Sequence, residues 1–352
     1  MNEWMKVGAA AVLSGCVVHS TYAAYTWLTT PSPPPPSAAP SIDVDAIGRV
    51  CILGTGLMGS AMAKHLVSCN VNLVLYNRTL SKAEEVVASL STSHPDAPAP
   101  MVCGSPAQAV SDSPIVVLMV SDFRAASAVL GLLPEKSLEG KVVLMMSTLG
   151  PDESKALFES VTQDLGGVYV EAPVLGSVPQ ASSGNLEILL GGDEVARRTL
   201  EARSDVMDLL SAMGRPRVVG SLGQAPALKL ALNSIILAST ASLSVAIGMV
   251  TGAGLSPSLL MDVLSGSILD MPYFGLKINR MVQGDFSQAA FPLSLMLKDA
   301  RLITKYAGSV GVRTDVVLEP LVTVVDNAVA AGLGPSDFSA IHSLISPRAQ
   351  SL

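Results

Sequence analysis

The sequence predicts an α/β chain, with a doubly wound and mostly parallel sheet first and an all-helical domain after it. Three observations predict this. Short apolar runs alternate with helical stretches from Arg49 to Gly220, a glycine-rich turn joins the first run to the first helix, and strand signals stop after Gly220. At 352 residues the chain suits two domains, each long enough to bury a core.

Before the fold comes a leader. Val7 to Leu28 carries no formal charge and has the length of a bilayer-spanning helix, with Tyr22, Tyr25 and Trp27 near one end. It reads as a membrane anchor; a cleaved signal or organelle-targeting leader is the alternative, so membrane association rests on residues 7–28. The run "PSPPPPSAAPS" cannot form helix or sheet, because proline lacks an amide donor, and reads as an extended spacer. The expected division is therefore 1–47 leader and linker, 48–222 dinucleotide-binding domain, and 223–352 helical domain for substrate and self-association.

"RVCILG" (Arg49 to Gly54) reads as a buried parallel strand, "LMGSAMAKHLVSC" as a helix and "VNLVLYNR" as a second strand, which makes a βαβ unit. Further strands are expected at Pro114–Ser121, Lys141–Thr148, Gly167–Val174, Glu187–Gly192 and Pro216–Gly220, and a surface loop at Ser91–Pro100. From Ala225 to about Gly252 runs one long Ala/Leu/Ser-rich helix, apolar on most sides, which suits burial between domains or in a subunit interface. Shorter helices follow, broken at Gly254, Pro257, Pro272, Pro292 and Gly332.

Composition narrows the function. Aromatic residues are only 4% and charged ones 14%, so the cores must be built from Ala, Val, Leu, Ile and Met. The net charge of −7 comes without a basic stripe, so nucleic acid is not an expected partner. Cys16, Cys51, Cys69 and Cys103 form no CxxC or metal-ligand spacing and read as reduced structural thiols, and His19, His65, His94 and His342 are too scattered for a zinc site or a triad. No metal is expected.

"GTGLMG" (Gly54, Thr55, Gly56, Leu57, Met58, Gly59) has the spacing of a dinucleotide fingerprint, and its place between strand and helix gives the motif its weight. The sheet is thus expected to be of Rossmann type. An NAD site ends its second strand in Asp or Glu, to hold the ribose 2′-hydroxyl; this chain has Asn77, Arg78 and Thr79, with Lys82 nearby. A guanidinium in place of a carboxylate favours a 2′-phosphate and hence NADP(H). The bland alternative is that Arg78 is a solvated strand-end charge.

In "APALKLALNS", Lys229 and Asn233 stand at i and i+4 on one helix face. A lysine in so apolar a helix can donate a proton to a carbonyl oxygen, and burial would lower its pKa toward a useful range. By spacing alone the pair could equally be a snorkelling lysine and a packing amide.

Four segments, "GTGLMGSAMAKHL", "EAPVLGSVPQASSGNLEILLGG", "KLALNS" and "FPLSLMLKDARL", stand in the order found in the β-hydroxyacid dehydrogenases, which the chain resembles from about Gly48 to Gly334. "NRTLSKAEE" resembles the glyoxylate/succinic semialdehyde reductase branch in particular. The resemblance implies that Lys229 is the general acid with Asn233 beside it, and that Thr148, Val120, Ser121 and Lys298 line the cofactor. It implies that Phe291 and Asp299 close the substrate pocket and that Val174, Leu175, Gly176 and Ser177 present backbone amides to a substrate carboxylate. One residue departs from the family pattern: Leu175 stands where serine is usual, and its missing hydroxyl leaves open compensation by Ser177 or backbone amides, a less polar substrate, or degraded activity.

The expected function is hydride transfer from NADPH to a small aldehyde or 2-oxo acid. Oxidation of a β-hydroxy acid, imine reduction on the same scaffold, and a non-catalytic NADP-binding scaffold are the rivals. The Ala-rich helical domain leads us to expect a homodimer or homotetramer.

Overall fold

The computed structural model describes residue 43 and residues 46–93 and 98–347. The apolar segment 7–28 and the proline-rich spacer lie outside these.

Among the described residues nine strands form one sheet: β1 (Val50–Leu53), β2 (Leu73–Tyr76), β3 (Met101–Val102), β4 (Ile115–Leu118), β5 (Val142–Met145), β6 (Val168–Glu171), β7 (Val174–Leu175), β8 (Leu186–Gly192) and β9 (Gly214–Ser221). Their lateral order is β3-β2-β1-β4-β5-β6-β8-β7, with β9 also paired to β8. The strands from β3 to β6 run parallel; β8 is antiparallel to β6 and β7 and parallel to β9. Every residue of β1, β2, β4 and β5 is buried. This explains why they read as unbroken apolar runs rather than alternating ones.

Helices cover both faces. These are α1 (Leu57–Ser68), α2 (Leu80–Ser93), α3 (Pro106–Ser111), α4 (Phe123–Leu130), α5 (Pro151–Glu159), α6 (Val178–Ser182), α7 (Glu194–Ala202) and α8 (Ser204–Met213). One core joins Ile52 and Leu75 to Met62, Leu66, Leu90 and Leu209; the other joins Cys51 and Leu118 to Val110, Ala126, Leu157 and Tyr169.

Several expected boundaries move, and the strands expected at Pro114–Ser121 and Lys141–Thr148 shorten to Ile115–Leu118 and Val142–Met145. The loop expected at Ser91–Pro100 is partly helix, since α2 runs to Ser93, and a two-residue strand follows at Met101. The run Gly167–Val174 is cut into β6 and β7, because Pro173 has no amide for a ladder. The last strand is longer than Pro216–Gly220. It begins at Gly214, where a Cβ would run into the Leu186 carbonyl.

Beyond Ser221 the described residues form helices joined by loops, with no strand and one isolated bridge, Pro292 to Asp337. The helices are α9 (Gln224–Gly252), α10 (Pro257–Leu264), α11 (Pro272–Gln283), α12 (Leu293–Ser309), α13 (Leu318–Ala328) and α14 (His342–Ile345). Pro257 and Pro272 open their helices and Pro292 precedes one, positions at which a missing amide costs nothing. A buried ion pair, Lys277 Nζ to Asp337 Oδ1 at 2.8 Å, ties α11 to the bridge, and its ammonium lies 4.2 Å from the centre of the Phe338 ring.

α9 is only partly covered. Leu228 (40%), Ile235 (55%), Val245 (49%) and Met249 (70%) are exposed along it, with exposed Ala231 and Ser242 between them. Their spacing of three and four makes an uncharged seam down the helix.

Candidate active site

The glycine turn sits where the carboxyl ends of the parallel strands meet. Gly54 takes φ +110, and a Cβ on it would run into the Met119 carbonyl; a Cβ on Gly59 would run into the Gly54 carbonyl. Only glycine lets α1 start this close to β1 and β4. At Gly56 a Cβ would meet nothing, so the turn is open on the side that a ligand must approach. α1 has no side-chain cap and no acid in its first turn, leaving the amides of Leu57, Met58 and Gly59 available to an anion. Open backbone and uncapped amides fit a pyrophosphate.

The other residues expected here follow neighbouring strands. Asn77, just after β2, accepts the Thr55 amide at 3.2 Å and donates to the Thr79 carbonyl at 2.8 Å, so it braces the glycine turn. Arg78 is exposed beside it. Val120 and Ser121 follow β4; the Val120 amide donates to Ser147 Oγ at 2.8 Å and the Ser121 hydroxyl to Asp122 at 2.9 Å. Thr148 follows β5, and its carbonyl accepts from Lys298 Nζ at 2.8 Å.

Lys298 belongs to α12, so this bond joins the helical part to the strand ends. Its ammonium also lies 2.9 Å from Asp299 Oδ1. From Asp299 a polar chain runs into α9: Asn233 Nδ2 donates to Asp299 Oδ2 at 2.7 Å, and Lys229 Nζ donates to Asn233 Oδ1 at 2.8 Å. A carboxylate accepts only and an ammonium donates only, which fixes the orientation of the Asn233 amide between them. Lys229, Asn233 and Asp299 are all buried, at 6%, 3% and 1% exposure. Burial pushes the Lys229 ammonium down to about 8; Asp299 opposes the shift and Lys298 adds to it.

Among the described residues no hydrogen bond joins the remaining expected residues to Lys229, Asn233 or Asp299. Phe291 packs edge-on against Phe338, with ring centres 5.6 Å apart, in the core that also holds Leu237 and Leu297. Val174 and Leu175 form β7, paired with Ile188 and Glu187. Gln180 occupies Ser177, accepting its amide at 3.0 Å and its hydroxyl at 2.5 Å. Gly176, at φ +144, separates the two. Among the described residues no hydrogen bond joins this turn to Lys229. Two features were missed in sequence: the grip of Gln180 on Ser177, and Glu171, whose buried carboxylate accepts from the Gly223 amide where α9 begins.

Two family models cover the chain in succession. The NAD-binding domain of 6-phosphogluconate dehydrogenase matches residues 49–223, and the NAD-binding domain of NADP-dependent 3-hydroxyisobutyrate dehydrogenase matches residues 223–345. The fold and these matches define an NAD(P)-dependent oxidoreductase, and its cofactor is NADP(H). Glyoxylate/succinic semialdehyde reductase 1 of Arabidopsis thaliana is 32% identical over 300 residues, 83% of this chain and 96% of that protein. The chain belongs to the β-hydroxyacid dehydrogenase family. Two solved structures share the fold. A 3-hydroxyisobutyrate dehydrogenase from Salmonella typhimurium is 17% identical with a TM-score of 0.71, covering 84% of this chain and 99% of that one. A reductive aminase from Aspergillus terreus, solved with NADPH4, cyclohexanone and allyl amine, is 22% identical with a TM-score of 0.55 over 84% of this chain and 99% of that one.

Proposed function

We propose that this protein reduces small aldehydes or 2-oxo acids with NADPH, using Lys229 as the general acid. One observation carries the reading: an ammonium brought to about 8 by burial and held by Asn233, itself held by Asp299. A proton donor works best with a pKa near the working pH. NADPH when bound supplies the hydride. Lys229 gives its proton to the carbonyl oxygen, Asn233 keeps the ammonium aimed, and Asp299 offsets the cost of burying the charge. Lys298, with Thr148 and Asp299, holds the helical part against the strand ends and excludes water from the cleft.

Arg78 supports NADPH over NADH, because a free guanidinium stands where an NAD site would carry an acid. The Arabidopsis relative supports glyoxylate or succinic semialdehyde as model substrates. The turn at Val174–Ser177 argues for less polar members of the class: Leu175 has no hydroxyl, and Ser177 is already bonded through both its donors. Residues 48–222 would hold the cofactor and 223–352 the substrate and a second subunit, with the α9 seam as the surface shared in a homodimer or homotetramer. The segment 7–28 would attach the protein to a membrane or direct it to an organelle.

The test is NADPH consumption by the protein lacking residues 1–41 with glyoxylate, succinic semialdehyde, longer aldehydes and a cyclic imine, with Lys229→Ala alongside. Carbonyl turnover lost in the variant is expected. NADPH binding without turnover of any of them would replace the enzyme with a cofactor-binding scaffold, and turnover of the imine alone would move the substrate class.

A further inference from the structure

Glu171, the last residue of β6, is a fully buried carboxylate that the proposed chemistry leaves unused. Everything bonded to it is a donor. Its Oε1 accepts from the Gly223 amide at 2.7 Å and from the Ser154 hydroxyl at 2.7 Å; Ser154 is itself 2.9 Å from the Tyr169 hydroxyl. Its Oε2 is buried with no hydrogen-bond partner. Across the sheet its register partner is Gly191, where a Cβ would run into Oε2. The sheet leaves room for this carboxylate by omitting a side chain.

Gly223 is the residue before α9, at φ +90, and the helix has no side-chain cap of its own. A helix N-terminus carries about half a positive charge. Lys229 lies in the second turn, roughly 9 Å along the axis at 1.5 Å per residue. The carboxylate meets that end at the Gly223 amide, so its place sets where the helix that carries Lys229 begins.

We infer that Glu171 is a positioning residue for the reaction: it caps the catalytic helix from across the fold and so fixes the height of Lys229. The inference rests on Lys229 being the acid. The groups facing Glu171 are Ser154 and Lys155 from α5, Tyr169 from its own strand and the Gly223 and Ala225 amides from α9. Burial pushes its carboxyl upward, while Ser154, these amides and Lys155 pull it back.

The experiment compares kcat/KM against pH for the full chain, Glu171→Gln, Glu171→Leu and Lys229→Ala, with NADPH binding measured for each. Glu171→Gln keeps an acceptor at Oε1 and should retain most of the kcat, with NADPH affinity unchanged. Glu171→Leu should lose tenfold or more in kcat, recovered in large part by Gln. Should Leu fail to fold, Ser154→Ala takes its place, with a smaller loss in the same direction. A kcat unmoved in Glu171→Leu, or lost equally in Gln and Leu, with Lys229→Ala inactive, would overturn the inference and leave the acid in place. Lys229→Ala retaining full activity would overturn both.

Discussion

Lys229 must be charged to donate a proton, so reductive kcat/KM should fall as pH rises through about 8, well below the ordinary lysine value of 10.5. A profile flat to pH 10 would contradict this. Lys229→Ala should cost about 10²–10⁴ in kcat, the range for a lost general acid, with NADPH affinity retained. Arg78→Ala should raise KM for NADPH roughly tenfold or more and leave that for NADH unchanged, since a hydrogen bond to a charged group contributes about 1.5–3 kcal/mol. What was legible at this scale was local. The i, i+4 pair of Lys229 and Asn233 could be read from spacing; the bond from Asn233 to Asp299 spans 66 positions and could not. Glu171 was invisible for the same reason, being 52 positions from the amide it accepts. The bond that occupies Ser177 was not read although Gln180 is only three positions away, because a capping box reads as one only where a helix is already known to begin.

At the level of elements, buried strands announced themselves as apolar runs, and α9 as one long apolar stretch whose single charge is Lys229. β3 did not, since two residues carry no periodicity, and the break between β6 and β7 was hidden in a run that looked continuous until Pro173. The seam on α9 makes its own prediction. A glutamate at Ile235 together with one at Val245 places like charges along the surface where a second copy would pack. The protein should then shift to monomer in light scattering with its far-ultraviolet dichroism unchanged. An unaltered mass would remove α9 from the interface.

For the molecule as a whole, the sheet and the helical part that follows it were readable because one glycine motif sets the order of strand, turn and helix. The closure of the two parts was not, because Lys298 and Thr148 meet across 150 positions. Stability as a function of pH also belongs to this scale. His342 is fully buried, neither of its ring nitrogens has a partner, and burial lowers its pKa from 6.5. The folded form therefore holds the neutral ring, and the unfolded chain takes up a proton first as pH falls. The contribution of His342 is complete above about 6.5 and is lost below it, through the window down to the folded value. The melting temperature should fall between pH of about 7.5 and about 5.5, and by less in His342→Phe. An equal fall in both would assign the acid sensitivity elsewhere.

The empty position at Gly191 also constrains how this sequence can drift. A side chain at 191 is tolerable only after residue 171 has become shorter, and a long acid at 171 is tolerable only while 191 is glycine. The two positions behave as a lock with one permitted order of opening. In a double-mutant cycle, Gly191→Ala should be costly beside Glu171 and clearly less so beside Glu171→Ala, where the Ala225 methyl, 3.0 Å from the added Cβ, is the crowding that remains. A lineage that had lost the acid would be free to fill position 191, and would then find the way back closed.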